Sequence, residues 1–314
     1  MTARKKAEEG GRIIKTTDPV WRAGLQQRVQ FALDMQRVRQ QIAGRLPENL
    51  KGEKKKRVTP VELSAEDMAY MRGRFKEVLG MEKSAFKDVE HYMKGASIWE
   101  EWIRRVKGVG PVSAGYLLAM FRIENCNTIS QMWSFSGLGM VKVKTCMNPS
   151  KHKGKNLRVY TNRDICPVIV GKRKTATDDD PICGEGLSWH GEMTIQFRTA
   201  GQKNTYNARL RTKLLGVLGP CLIKSQSPFT EFYYNMKNRE EQKNEARAEK
   251  EKLTKAHMHQ RAMRYMVKMF LAALYNEWRA LEGLPVRPPY KEEYLDGREH
   301  EPMKFLSRRD LSAK

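Results

Sequence analysis

Apolar residues in the first hundred positions recur in steps of three and four, the spacing of one face of an α-helix. They run from Trp21 to Leu46 and again from Met68 to Leu79. Asp18-Pro19 precedes the first run, and Ser64 opens a Ser-Ala-Glu-Asp segment resembling a capping box before the second. Two long amphipathic helices joined by a short basic loop predict an antiparallel hairpin. Its apolar stripes fit packing within one chain or a coiled coil that also forms a homodimer.

Helical periodicity continues beyond the hairpin and is interrupted once. Short helical runs flank Gly108-Val-Gly-Pro111, and a long amphipathic run extends from His257 to Leu281. Between them, alternating stretches such as Met193-Thr-Ile-Gln-Phe197 predict short strands. We therefore expect a mainly α protein with a small β-containing insertion. The predicted segments are a disordered basic leader (1–17), a helical hairpin (18–97), a helical domain in two parts (98–140 and 206–284), the insertion (141–205) and a loosely ordered tail (285–314).

Charge then narrows the class of partner. The 314 residues include 59 Lys and Arg against 36 Asp and Glu, a formal net charge of +23. An excess this large indicates a polyanionic partner, and nucleic acid is favoured over an anionic membrane surface. No segment reaches about 18 uninterrupted apolar residues, and the start of the chain lacks an apolar signal core. These features, with an odd number of cysteines, five in all, predict a cytoplasmic protein with no membrane partner.

The Gly108-Val-Gly-Pro111 turn resembles the hairpin of a helix-hairpin-helix motif. Glycine lets a phosphate approach the backbone closely, and the start of the following helix adds partial positive charge. An ordinary turn between two helices is the alternative. The predicted nucleic-acid contacts at this hairpin are Arg104, Arg105, Lys107, Gly108, Gly110 and Ser113.

Two further basic stretches follow the insertion. A basic stripe on the last helix lies opposite its apolar stripe, an arrangement that suits either a phosphate track or a solvated face of a core helix. The same character marks the helix that follows the insertion. The additional predicted nucleic-acid contacts are Asn207, Arg209, Arg211 and Lys213, with His257, Arg261, Arg264 and Lys268 on the last helix.

The insertion carries the groups that bind metals. The candidate thiol and imidazole ligands of a structural zinc are Cys146, Cys166, Cys183 and His190, and His152 lies in the same insertion. Ordinary buried or free thiols are the alternative, because no Cys-x-x-Cys pair is present. The run Asp178-Asp-Asp180 suits either a divalent cation or a solvated loop. Apart from this zinc, no cofactor is predicted, since a phosphate-binding Gly-x-x-x-x-Gly-Lys loop is missing.

Five blocks of the chain, taken in order, form a recognisable set: Gly108-Val-Gly-Pro-Val-Ser-Ala114, Trp133-Ser-Phe-Ser-Gly-Leu138, Asn207-Ala-Arg-Leu-Arg-Thr-Lys-Leu-Leu215, Ser227-Pro-Phe with Phe232-Tyr233, and Ala262-Met-Arg-Tyr-Met-Val-Lys-Met-Phe270. Together these blocks resemble the C-terminal domain of guide-RNA-dependent insertion-sequence transposases of the 110/116/902 group. The likeness covers about residues 104–140 and 206–282.

Departures from that family bear on catalysis. The transposases carry an N-terminal RuvC-like domain with acidic metal ligands, whereas residues 1–100 here are basic and helical in pattern. The family's nucleophilic serine has no counterpart in Gly139-Met-Val-Lys-Val-Lys-Thr-Cys146. We therefore predict no catalytic residue. The remaining layout resembles Nop-domain proteins, including the Tas proteins of tandem-interspaced-guide-RNA systems, which pair a helical hairpin with a helical RNA-binding domain.

These resemblances imply a non-catalytic protein that binds a guide RNA, which in turn pairs with target DNA in a ribonucleoprotein. Two alternatives stay open at this stage. One is an active transposase, recombinase or nuclease that uses Thr145, Cys146 or the Asp178–Asp180 carboxylates. The other is a DNA-binding protein of a mobile element that uses the hairpin without a guide.

Overall fold

The computed structural model describes residues 14–46, 64–152, 158–170, 181–199 and 201–288. Helices dominate these residues, and three strands form one antiparallel sheet inside the predicted insertion. The expectation of a mainly α chain with a small β insertion is thus confirmed. The α-helices are α1 (Pro19–Ala43), α2 (Ala65–Met93), α3 (Ser97–Glu101), α4 (Pro111–Met120), α5 (Ile129–Phe135), α6 (Ala208–Lys213), α7 (Gly219–Lys224), α8 (Thr230–Glu245) and α9 (Lys255–Leu281).

Shorter elements complete the fold. The strands are β1 (Met140–Cys146), β2 (Arg158–Tyr160) and β3 (Leu187–Ile195). Turns of 3-10 helix occupy Ile103–Arg105, Ile123–Asn125, Pro149–His152 and Glu249–Glu251, and a π-helical turn, Leu214–Leu218, joins α6 to α7. The described residues up to Arg122 form one compact unit, and those from Ile123 onward form a second. The predicted segment 98–140 is therefore divided between the two units.

The first unit is built on an antiparallel pair, α1 and α2. Both start where the sequence places a cap: Asp18 accepts a hydrogen bond from the Val20 N–H, and Ser64 accepts one from the Asp67 N–H. Near one end of the pair Trp21 stacks on Tyr92, with ring centres 5.9 Å apart. Farther along, an ion pair joins α1 to α2 through Arg39 and Glu82. The pairing of an early α1 residue with a late α2 residue establishes the antiparallel direction.

Helix α4 packs against both members of this pair. Gly115 permits the close approach, since a Cβ there would lie 2.8 Å from Val89 Cγ1 and 2.9 Å from Val29 Cγ2. Residues 14–17, assigned to the leader from sequence, belong to the folded unit. The Ile14 N–H donates to the Gly95 carbonyl at 3.0 Å, and Thr16 is buried. The rest of the predicted leader, residues 1–13, lies outside the described residues.

The second unit is organised around α9. Its predicted apolar stripe is buried, with Met266, Phe270, Leu274 and Trp278 fully enclosed. Helix α8 lies antiparallel to it. Phe229, just before α8, has its ring centre 5.3 Å from that of Phe270, whereas Glu240 near the end of α8 pairs with Arg261 near the start of α9. In the same unit, the buried Arg279 guanidinium donates to the Ile123 and Cys126 carbonyls at 2.8 Å each, which fixes the turn before α5.

The sheet lies in this second unit and has the order β2-β1-β3. Its register pairs Met140 with Ile195 and Lys142 with Met193, but Lys144 with Trp189. Strand β3 therefore advances four residues while β1 advances two, so it bulges over residues 190–192. Gly191, with φ of 86°, supplies the left-handed backbone there. No helix within the described ranges is both long and apolar enough to cross a bilayer.

Candidate metal centre and nucleic-acid interface

Four buried side chains of the insertion converge on one point: Cys146, His152, Cys166 and Cys183. Each comes from a different piece of backbone. Cys146 ends β1, and His152 ends the 3-10 turn that follows. Cys166 and Cys183 lie on two antiparallel segments joined by backbone hydrogen bonds, including Cys166 N–H to the Glu185 carbonyl at 2.8 Å. The fold thus brings the neighbouring Cys146 and His152 to two cysteines that lie farther along the sequence.

The four ligand atoms all lie within 4.8 Å of one another. The sulfurs of Cys146 and Cys183 are 3.9 Å apart, and Cys166 Sγ is 3.4 Å from His152 Nε2. Three thiols and one imidazole make a donor set suited to a soft or borderline transition metal. This Cys3His cluster can bind a metal ion.

Burial changes the acidity of one ligand of the cluster, Cys166. It raises the pKa of the Cys166 thiol to about 12, and the neighbouring Cys146 thiol adds to the rise. A metal ion binds thiolates, so it would displace these protons on entry. Among the described residues, the hydrophobic group around the cluster is small: Val159 and Val168 are buried with the cysteines, and Val170 and Leu187 pack against them, partly buried.

Two ion pairs brace the segments that carry the ligands. Buried Lys144, two residues before Cys146, donates to Asp164, two residues before Cys166, at 2.7 Å. This hydrogen bond and the lysine charge lower the pKa of the Asp164 carboxyl. Lys151 pairs likewise with Glu185, which ties the His152 turn to the Cys183 segment. Each pair joins two ligand-bearing segments, so the cluster geometry does not depend on the thiols alone.

The structure changes which histidine is the candidate ligand. His190 is exposed in the β3 bulge, where its Nε2 lies 3.1 Å from Ser188 Oγ, and it does not belong to the cluster. His152 is the histidine that the fold brings to the three cysteines. The sequence spacing of the two histidines did not distinguish them. His152 is brought to the cysteines by a 3-10 turn, and the spacing does not predict that turn. The other cysteines, Cys126 and Cys221, also lie outside the cluster.

The two nucleophile alternatives have different positions. Cys146 is buried among the ligand atoms of the cluster, and Thr145 precedes it on β1, half-buried. The carboxylates Asp178–Asp180 lie outside the described residues.

The hairpin residues lie together in the first unit. Gly108 has φ of 91°, so it holds a left-handed turn that other residues rarely adopt. Gly110 is the N-cap of α4, has extended backbone angles and offers no capping side chain. Arg104, Arg105 and Lys107 are exposed just before it, and Ser113 is half-buried in the first turn of α4. Arg104 also pairs with Glu100 at 2.6 Å.

The basic stripe of α9 lies in the second unit, where its side chains take part in internal contacts. Arg264 is partly buried and donates to the Gly137 carbonyl at 3.1 Å. Burial lowers the pKa of its guanidinium to about 10. Arg261 pairs with Glu240 at 2.7 Å, and Lys268 Nζ lies 4.1 Å from the centre of the Trp133 ring. Exposed His257 contacts Thr254, the cap of the same helix.

Some of the predicted contact residues at α6 also take part in internal contacts, and others lie nearer the surface. Asn207 caps α6 by accepting from the Leu210 N–H at 3.0 Å. Arg211 donates to the Gln196 carbonyl and lies over the Tyr206 ring. Arg209 is exposed, and Lys213 is half-buried. The predicted contacts of the second unit thus include several side chains that stabilise the fold itself.

Comparisons with protein families, curated proteins and solved structures give no match. The resemblances noted in the sequence therefore remain predictions.

Proposed function

We propose that the protein is a guide-RNA-binding protein whose insertion is held together by a structural zinc ion. The metal proposal rests on the distances within the Cys3His cluster. With Zn–S near 2.3 Å and Zn–N near 2.0–2.1 Å, a tetrahedron separates two sulfurs by about 3.8 Å and sulfur from nitrogen by about 3.6 Å. One sulfur–sulfur separation, Cys146 to Cys183, is 3.9 Å, one sulfur–nitrogen separation, Cys166 to His152, is 3.4 Å, and all four ligand atoms lie within 4.8 Å of one another.

Zinc would add stability at the cluster, where few of the described apolar side chains pack. Four protein ligands complete the tetrahedron and leave no open position for a substrate, which is the pattern of a structural site. The same ligation would occupy Cys146, so this thiol would not serve as a nucleophile. We assign no catalytic residue to the chain.

The start of α4 is the observation that carries the nucleic-acid proposal. Its N-cap is an exposed glycine, so no capping side chain occupies the N–H groups of Val112 and Ser113 in the first turn. A Cβ at Gly110 would meet nothing within 4 Å, so the space in front of the helix is open. Three exposed basic residues, Arg104, Arg105 and Lys107, lie within six residues of this glycine. Open backbone, helix dipole and cationic side chains together suit a phosphate.

Guide-RNA dependence follows from the resemblance and from what such contacts can discriminate. Contacts to phosphates position a strand but carry no sequence information directly. An RNA that pairs with target DNA would supply that information, while the protein binds backbone and shape. The helical hairpin would support a homodimer, since α1 and α2 expose Phe31 and Met81.

The test is co-purification followed by ribonuclease treatment. We expect a discrete structured RNA with the purified protein, and DNA binding that is lost after ribonuclease. Sequence-specific DNA binding that survives ribonuclease would instead favour the guide-free alternative. DNA cleaved or rejoined by the purified protein would contradict the non-catalytic assignment.

A glycine pair provides a matched control for the α4 site. Gly110→Ala places a methyl group in open space and should weaken RNA binding, because it stands between the helix and the phosphate. Gly73 on α2 is also exposed, and a Cβ there likewise meets nothing within 4 Å. Gly73→Ala should leave RNA binding unchanged. Equal affinities for both variants would remove the start of α4 from the interface.

A further inference from the structure

The end of β3 inverts the usual alternation of a surface strand. Met193 and Ile195 face solvent, whereas Thr194 is half-buried and Gln196 is buried. The Gln196 side-chain oxygen has no hydrogen-bond partner among the described residues. Folding alone favours the opposite arrangement, with apolar side chains buried and polar ones exposed. The exposed apolar face therefore indicates a binding surface.

The register extends this face across two strands. Met140 pairs with Ile195 and Lys142 with Met193, so these four side chains lie on the same side of the sheet. Trp189 joins them, since Lys142 Nζ lies 4.3 Å from the centre of its ring. Met140, Trp189, Met193 and Ile195 each expose between 45% and 52% of their surface. We call these four residues, together with Lys142, the exposed sheet face.

Trp189 is fixed in position even though it is exposed. Its indole N–H donates to the Glu192 carbonyl at 2.9 Å, within the β3 bulge. Lys142 covers part of the ring and adds a cation beside it. The bulge therefore holds an aromatic ring in one orientation at the surface, so little side-chain entropy would be lost when a ligand stacks on it.

An exposed apolar face can bind a second copy of the chain or the bases of a nucleic acid, and charge distinguishes between these two occupants. At the surface, the three strands carry one carboxylate, Glu192, against Lys142 and Arg158, and Arg198 follows β3. Lys144 does not add to this balance, because it is buried and paired with Asp164. Two copies meeting through this face would bring like charges together in a chain of net charge +23. Nucleobases stack on aromatic and apolar side chains, while their phosphates favour cations nearby.

We propose that the exposed sheet face binds single-stranded RNA, with a base stacked on Trp189 and a phosphate beside Lys142. This inference rests on the nucleic-acid binding proposed above and adds a second site, in the insertion. The metal cluster and the β3 bulge would then both position the residues that contact the RNA. The cluster holds the end of β1, and β1 holds the register that brings Lys142 beside Trp189.

Tryptophan fluorescence tests the site directly, because the other five tryptophans are buried or half-buried. The probe is a single-stranded oligouridylate of about 12 nucleotides, within the usual site sizes. We expect it to quench the fluorescence of the wild-type protein on binding. Trp189→Phe should keep most of the affinity, measured by anisotropy, but lose the quenching. Trp189→Ala should lose about 5- to 150-fold in affinity, the equivalent of about 1–3 kcal/mol of stacking.

Tyr70→Ala is the matched control, since Tyr70 is an exposed ring on α2 with Arg74 5.2 Å from its centre. It should bind the oligonucleotide as the wild type does. If wild type and Trp189→Ala bind the probe equally and no quenching occurs, the sheet face is overturned while RNA binding stands. A wild-type protein that binds no RNA overturns both proposals. A dimer that Trp189→Ala converts to monomer, at unchanged probe affinity, would identify a second copy as the occupant instead.

Discussion

At the scale of single residues, the chemistry of this protein depends on which side chains the fold removes from water. Cys166 and Cys126 are both buried thiols with raised pKa values, but their surroundings differ. Cys166 lies among further ligand atoms. Cys126 lies in the turn before α5, where its carbonyl accepts a hydrogen bond from Arg279. One is predicted to hold a metal, and the other to behave as a small apolar residue.

Cys166→Ser should reduce bound zinc from about one equivalent towards none, because it removes a ligand from a four-ligand site. Metal analysis of protein prepared without chelator gives the stoichiometry. His152→Ala should have the same effect, while His190→Ala should keep the metal. A variant of His190 that loses zinc and a variant of His152 that retains it would reverse the assignment.

Cys126 predicts a loss of stability at alkaline pH. Burial raises its pKa from 9.0 to about 11, so the folded state favours the neutral thiol. The resulting stabilisation is complete below pH 9 and disappears as the pH rises through about 11. Its size is on the order of 2 kcal/mol. Denaturant unfolding of wild type and Cys126→Ala should show stability curves that converge between these pH values, and parallel curves would contradict the prediction.

At the scale of elements, glycines on two helices have opposite roles that their sequence does not reveal. Gly115 and Gly73 both lie inside helices. At Gly115 a Cβ would contact Val89 and Val29 closely, whereas at Gly73 it would meet open space. The approach of α4 to the α1–α2 pair therefore depends on one absent methyl group.

Gly115→Ala should destabilise the protein by about 1–3 kcal/mol, because the added methyl overpacks the contact between α4, α1 and α2. Gly73→Ala should instead stabilise it by about 1 kcal/mol through helix propensity. Chemical denaturation of the two variants under identical conditions measures both signs. A stabilising Gly115→Ala would mean that α4 does not pack as described.

At the scale of the whole molecule, net charge and its location are different quantities. The sequence fixes a charge of +23 but assigns it equally to every basic stretch. The fold places part of it in internal contacts, as with Arg264 at the Gly137 carbonyl and Arg261 at Glu240. The residues before α4 remain at the surface.

Salt dependence should separate these sets. When log affinity is plotted against log salt concentration, each neutralised phosphate contributes about 0.7–0.9 to the steepness of the slope. Replacing Arg104, Arg105 and Lys107 with Gln should therefore make the slope shallower by about 2. Replacing Arg261, Arg264 and Lys268 should chiefly lower the stability, since two of them form hydrogen bonds or ion pairs within the unit. RNA titrations at several salt concentrations measure the slopes. A larger change for the α9 set would restore that stripe as the main phosphate track.

The sequence by itself determined the elements that depend on local signals. The starts of α1 and α2 follow from Asp18 and Ser64, and the buried face of α9 follows from its period, because caps and periodicity act within a few residues. Helical periodicity likewise gave the mainly α class, and alternating stretches gave the position of the β insertion.

Tertiary structure alone decided which distant residues meet. It selected His152 over His190 as the fourth member of the cluster, joined residues 14–17 to the first unit and divided 98–140 between two units. It also exposed the apolar side of β3, since a strand's alternation does not say which face is covered. These outcomes depend on contacts between segments far apart in the chain, and no local pattern encodes such contacts.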